Sequence, residues 1–144
     1  MATVFDVAAY ILKKSGPMTA MKLQKLTYYA QAWSLVWDDK PLFRNHIEAW
    51  ANGPVVPALY ERHRGQFMLG KDAVQGTPSA LTKDERETVD AVLRHYGHRT
   101  SQWLSRLTHA EPPWKEARKD LGPGQRGHQE ITQAAMAEYY SSLL

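Results

Sequence analysis

The sequence predicts a mainly α fold (α+β): a compact bundle of five to seven helices with one small β-hairpin or short antiparallel sheet. Three observations lead there. Apolar residues recur at helical spacing in several separate segments. Capping residues and Gly or Pro stops punctuate those segments. One stretch, Ile47–Trp50 running into Asn52-Gly53-Pro54, reads instead as a strand and a turn. With 144 residues, no internal repeat and no linker, the chain is expected to form a single domain over 1–144.

The elements follow in order. TVFDVAAYILKK sets Val4, Val7, Ala8, Ile11 and Leu12 on one helical face, and Ser-Gly-Pro stops it. MTAMKLQKLTYYAQAWSLVW is the clearest helix, with Thr19 as cap and Leu23, Leu26, Ala30 and Trp33 as apolar stripe. Leu42-Phe43 and Ile47–Trp50 read as two short strands, joined as a hairpin across Arg44-Asn45-His46. Asn52-Gly53 is a turn, because both residue types tolerate positive φ. Pro54 and Pro57 fix their own φ, hold Val55 and Val56 extended, and place Pro57 in the first turn of a helix over 57–64. Residues 65–79 are Gly-rich and aperiodic and read as a mobile loop. Thr82 and Glu85 form a capping box opening a helix that closes on Gly97, with Val89, Val92, Leu93 and Tyr96 as its stripe. Further helices are expected over 101–111, stopped by Pro112-Pro113, then over 114–121, and finally over 132–144.

Composition narrows the chemistry. Cysteine is absent, which excludes disulfides, thiolate metal sites and cysteine nucleophiles, and which suits a cytoplasmic protein. No apolar run is long enough to span a membrane, and no signal peptide is expected. The net charge of +3 gathers between Arg94 and Arg126, but too sparsely to predict nucleic acid as a partner. Gly65 to Asp72 falls one residue short of a phosphate-cradling loop, and Asp72 would repel a phosphate. Gly122-Pro-Gly124-Gln-Arg-Gly127 matches a dinucleotide pattern in letters, yet it follows a charged helix rather than a strand. His95 and His98 near a helix end lack a third ligand, so no metal and no cofactor is expected. Of the five tryptophans, Trp33 and Trp103 read as structural, while Trp37, Trp50 and Trp114 sit at element ends.

The segment from Met21 to His63 is more specific than any of these. KLQKLTYYAQAW (22–33), PLF (41–43), IEAW (47–50) and GPVVP (53–57), followed by LSRLTHAEPPWKEAR (104–118) and a terminal EYYSSL, together resemble the Panacea domain. That is the SocA-like antitoxin family of bacterial and prophage toxin–antitoxin pairs. The resemblance implies a mainly helical, non-enzymatic antitoxin whose partner is a cognate protein toxin, bound directly, with a homodimer left open. On that reading the toxin contacts fall to Tyr28, Tyr29, Trp50, Asn52, Val55, Val56, Tyr60 and Arg64, with the 61–71 segment adjoining. Leu23, Leu26, Trp33, Gly53, Pro54 and Pro57 are then the structural motif. Two other readings of the residues compete. One is a helix-turn-helix-like nucleic-acid-binding regulator using Ser101–Thr108 with Arg94, Arg99 and Arg106. The other is a hydrolase using His109 with Glu111, or His63 with Glu61.

Overall fold

The computed structural model describes the whole chain, Met1 to Leu144, as seven helices and five short strands. In chain order these are α1 (Val4–Ser15), β1 (Met18–Thr19), α2 (Ala20–Trp37), β2 (Ile47–Trp50), β3 (Gly53–Val55), α3 (Pro57–His63), β4 (Met68–Leu69), α4 (Lys83–Tyr96), α5 (Ser101–Ala110), α6 (Pro112–Ala117), β5 (Glu130–Ile131) and α7 (Gln133–Ser141). The predicted class therefore holds: a helical bundle with small antiparallel sheets. No helix is long and apolar enough to cross a membrane.

Local chemistry sets the helix starts. Thr3 and Thr82 open α1 and α4 as full capping boxes with Asp6 and Glu85. Thr19, Thr100 and Thr132 each accept a backbone N–H at the start of α2, α5 and α7. α3 and α6 instead begin on prolines, whose missing N–H is no loss in a first turn. The prolines expected to stop one helix at 112–113 thus start the next, and α6 begins two residues before the predicted Trp114.

α2 is the axis, with α1, α3, α4, α5 and α7 packed around it. It differs from the amphipathic helix its stripe suggests, because every residue from Leu23 to Ser34 is buried, polar ones included. The polar residues survive burial where they bond to backbone. Gln31 accepts from the N–H groups of Leu42 and Phe43 and donates to the Phe43 carbonyl at 2.9 Å. Those bonds overturn the predicted strand at 42–43: Gln31, not a second strand, satisfies that extended backbone. The tyrosines of α2 close onto the far end of the chain. Tyr29 and Tyr140 both donate to Glu111 Oε1 at 2.7 Å, and the Tyr28 hydroxyl lies 3.0 Å from that of Tyr140. Trp33 Nε1 donates to the Tyr96 hydroxyl, and the Tyr29 ring stacks on Tyr96 at 4.2 Å. One core cluster runs from Ala2 to Tyr140.

β2 is the centre of a three-stranded antiparallel sheet, flanked by β3 and by β5. Its hairpin partner is therefore downstream, across Ala51-Asn52, and Trp50 pairs with Gly53. β1 and β4 form a separate two-stranded ladder, Met18 opposite Leu69. That ladder, a 3-10 turn at Pro78–Ala80 and the buried Leu69 and Val74 anchor the stretch 65–79, which is otherwise irregular as expected.

Candidate functional site

The β2–β3 corner is built from behind by α2. Val56 lies between a strand and Pro57: its carbonyl accepts from the N–H groups of Leu59 and Tyr60 in the first turn of α3, while its own N–H lies beyond the ladder and needs a partner. Gln24 supplies one: Val56 N–H donates to Gln24 Oε1 at 2.9 Å, and Gln24 Nε2 donates to the Val56 carbonyl at 3.4 Å. The same Nε2 donates to His63 Nε2 at 2.9 Å. His63 must then be an acceptor there, a neutral ring, and burial lowers its pKa in the same sense. Gly53 has φ +127, a left-handed value that favours glycine, and a Cβ there would meet Lys25 Cε at 2.4 Å. The Lys25 ammonium beneath the turn is 1% exposed and has no hydrogen-bond partner, and burial pulls its pKa down to about 7.

From the other side α5 and α6 clamp the same corner. Ser105 Oγ donates to the Asn52 carbonyl at 2.7 Å and Trp114 Nε1 to the Trp50 carbonyl at 2.8 Å. The His109 ring stacks on Trp114 at 3.9 Å. Arg118 donates through Nη1 to the Ala49 carbonyl and through Nη2 to that of Gln125, tying the corner to the 122–128 loop. The Leu-Thr-His and Pro-Trp segment thus acts as a brace.

In front of the corner lies a groove of about 570 Å³. Trp50, Asn52, Val55, Tyr60 and Arg64 line it with Met21, and Gly124, Arg126, Gly127 and His128 add a second wall, the His128 ring meeting Trp50 edge to face at 6.1 Å. Trp50 and Tyr60 meet edge to face at 4.9 Å. Three lining side chains, Arg64, Arg126 and His128, are basic, and none is a carboxylate. Glu48 stands behind Trp50. Partial burial would raise its pKa, but hydrogen bonds from Trp50 Nε1, His46 and His128 hold it below the usual carboxylate value. A second recess of about 320 Å³ shares Met21, Tyr60 and Arg64 and extends to Gly65–Phe67. There Phe67 and Met68 are exposed by 77% and 52%.

The residues assigned to toxin contact fall into two groups. Trp50, Asn52, Val55, Tyr60 and Arg64 come together on the groove, with Val55 buried at its floor. Tyr28, Tyr29 and Val56 do not: all three are fully interior, the tyrosines committed to the Glu111 network and Val56 to Gln24, so their assignment as contact residues is corrected. Leu23, Leu26, Trp33, Gly53 and Pro54 are buried, and Pro57 opens α3, in keeping with structural duty. Met21, Arg126 and His128 were missed. The pairing of β2 with the two-residue β5, with Arg118 holding Gln125, brings the last two beside Trp50, and two residues carry no periodic signal.

The competing readings separate as well. His63 bonds to Gln24 whereas Glu61 lies beside Arg64, and Glu111 bonds to tyrosines whereas His109 stacks on Trp114, so neither acid–base pair is assembled. Arg94, Arg99 and Arg106 are exposed, and Arg99 lies 4.2 Å over the ring of Trp103. Trp103 is therefore a surface residue, not the core residue its leucine neighbours suggest.

Comparison with known proteins adds the following. Residues 23–115 match the family described as "Antitoxin SocA-like, Panacea domain". The chain is 29% identical over 124 residues to Antitoxin SocA of Caulobacter vibrioides (strain NA1000 / CB15N). That match covers 75% of this chain and 66% of the relative, just under two thirds of its length. No solved structure matches.

Proposed function

The chain belongs to the SocA-like antitoxin family with the Panacea domain, and from that premise we propose that it neutralises a cognate protein toxin by binding it directly, without catalysis. The observation that carries the proposal is the continuous surface from the Trp50–Tyr60–Arg64 groove to the exposed Phe67 and Met68. Aromatic and arginine side chains dominate the energetics of protein interfaces. Nanomolar neutralisation requires on the order of 12 kcal/mol. A standard interface of about 1,600 Å² reaches that through a few anchors, provided the surface is already ordered. Gln24, Ser105, Trp114 and Arg118 hold this corner in place before any partner arrives.

The test is co-expression with the product of the adjacent coding sequence, scoring growth rescue and co-purification. The parent chain is expected to rescue and to form a complex, and Tyr60→Ala is expected to weaken both while staying folded. A parent chain that neither rescues nor co-purifies overturns the proposal.

A further inference from the structure

The second wall of the groove has a character of its own. Trp50, Asn52, Val55, Tyr60 and Arg64 all lie within the family-matched span 23–115, whereas Gly124 to His128 lie beyond it. Apart from Met21, the first wall is therefore built from residues inside the family match, and the second from residues outside it. The second wall is nonetheless ordered. Arg118 holds the Gln125 carbonyl at 2.5 Å, Gln125 Oε1 accepts from Gly122 N–H, and His128 Nδ1 lies 3.3 Å from Glu48 Oε1. Gly124 turns the loop with φ +74.

We infer that the groove takes an acidic, extended segment of the toxin, with Arg126 and His128 of this second wall and Arg64 of the first as the side chains that read it. The inference rests on the antitoxin reading and names what that site grips. Charge is the main argument, because the lining holds Arg64, Arg126 and His128 and no carboxylate. The two arginines keep spare hydrogen-bonding capacity. Glu48 is shared among His46, His128 and Trp50, Glu61 reaches Arg64 only at 3.8 Å between two exposed side chains, and Arg126 forms no ion pair. An exposed arginine in a partly walled groove has a guanidinium fork free for bidentate carboxylate recognition. Shape argues for an extended segment. The groove continues past Met21, Tyr60 and Arg64 into the recess at Gly65–Phe67, and the Trp50–Tyr60 pair offers an apolar seat among the basic side chains. A loop tied down in advance lowers the ordering cost of such docking. Unlike-charge complementarity there contributes to partner choice as well as to affinity.

The experiment uses the full chain and the product of the adjacent coding sequence, with affinity measured at low and at high salt. Arg126→Glu and Arg64→Glu are compared with Arg106→Glu, which changes net charge equally but lies on α5, outside the groove. The two groove reversals are expected to weaken binding by roughly tenfold to hundredfold and to flatten its salt dependence, with Arg106→Glu close to the parent. Arg126→Gln, a milder change, is expected to fall between, and unchanged circular dichroism excludes misfolding. Groove reversals that bind like the parent, or an Arg106→Glu loss as large as theirs, overturn the inference while the antitoxin reading stands. A parent chain that binds no such product, or that instead retains nucleic acid released by salt, overturns both.

Discussion

Gln24 holds Val56 by both of its backbone groups, at 2.9 Å from the N–H and 3.4 Å to the carbonyl, in the manner of a missing strand partner. The Val56 carbonyl also accepts from Leu59 and Tyr60 in the first turn of α3, so the N–H is the group for which Gln24 is indispensable. Gln24→Leu keeps approximate volume but strands the Val56 N–H and the buried His63 ring. Urea unfolding is expected to show a loss of about 2–4 kcal/mol with an unchanged m value.

The Gly53 turn and the Lys25 side chain occupy one space. Gly53→Ala is expected to cost about 1–3 kcal/mol, part from a φ of +127 and part from the 2.4 Å approach to Lys25 Cε. Lys25→Ala removes the second part alone. A double-mutant cycle followed by thermal unfolding should therefore show the pair to be non-additive, with the combined variant less damaged than the sum.

Lys25 also gives stability a pH dependence. Its pKa falls from 10.5 to about 7 on folding because the ammonium is desolvated. Between those values the unfolded chain binds a proton that the folded chain has released, so this residue's contribution to stability rises with pH across the window. Below about 7 both states are protonated and the full cost stands. Lys25→Met is expected to be the more stable protein at neutral and acid pH, by up to several kcal/mol, with the gap narrowing towards pH 10. Urea titrations of both proteins at a series of pH values check the sign.

Glu111 carries the opposite sign for an acid. Burial raises its pKa, against the lowering effect of the Tyr29 and Tyr140 hydrogen bonds. The folded chain then holds its proton to higher pH, so this group's contribution falls as pH rises between the ordinary glutamate value and the raised one. Glu111→Gln keeps an acceptor for both hydroxyls without the charge and should stay within about 1 kcal/mol of the parent at neutral pH. Glu111→Ala, which orphans two buried hydroxyls and opens a cavity, should lose roughly 3 kcal/mol or more in chemical denaturation.

Interior and groove residues should part company in function. Tyr29→Phe is expected to lower the melting temperature and leave the affinity of the folded fraction for its partner unchanged, because Tyr29 is fully buried. Tyr60→Ala is expected to do the reverse, costing about 1–3 kcal/mol of binding with little change in melting. Calorimetric titration and thermal melts on the same samples separate the two.

Helix starts were legible where a few adjacent letters set them: Thr19 before α2 and Thr82 with Glu85 before α4 carry their caps within four residues. The sheets were not. β5 and β4 are two residues each, paired with segments far away in the chain, and no local pattern announces such a ladder. Leu42-Phe43 misled because extended backbone reads as strand whether its partner is a strand or a glutamine. Half of the candidate site was visible, since Trp50, Asn52, Tyr60 and Arg64 crowd around one stiff corner. Tyr28 and Tyr29 misled for a different reason. Their assignment came with the family resemblance, but a helix surrounded on all sides turns both inward, where Glu111 accepts from Tyr29 and the Tyr28 hydroxyl meets that of Tyr140.

The place of β5 in the sheet bears on how this protein comes into being. Ile131 and Glu130 complete the sheet against Ile47 and Glu48, and Tyr140 seals the hydroxyl network begun by Tyr28 and Tyr29. Tyr28 and Tyr140 stand 112 residues apart in the chain. Contacts of that separation form slowly, because a long loop must close before they contribute. Deleting Glu130 to Tyr140 should therefore leave neither a closed interior nor a settled groove, so that assembly of the fold and assembly of the site are one event.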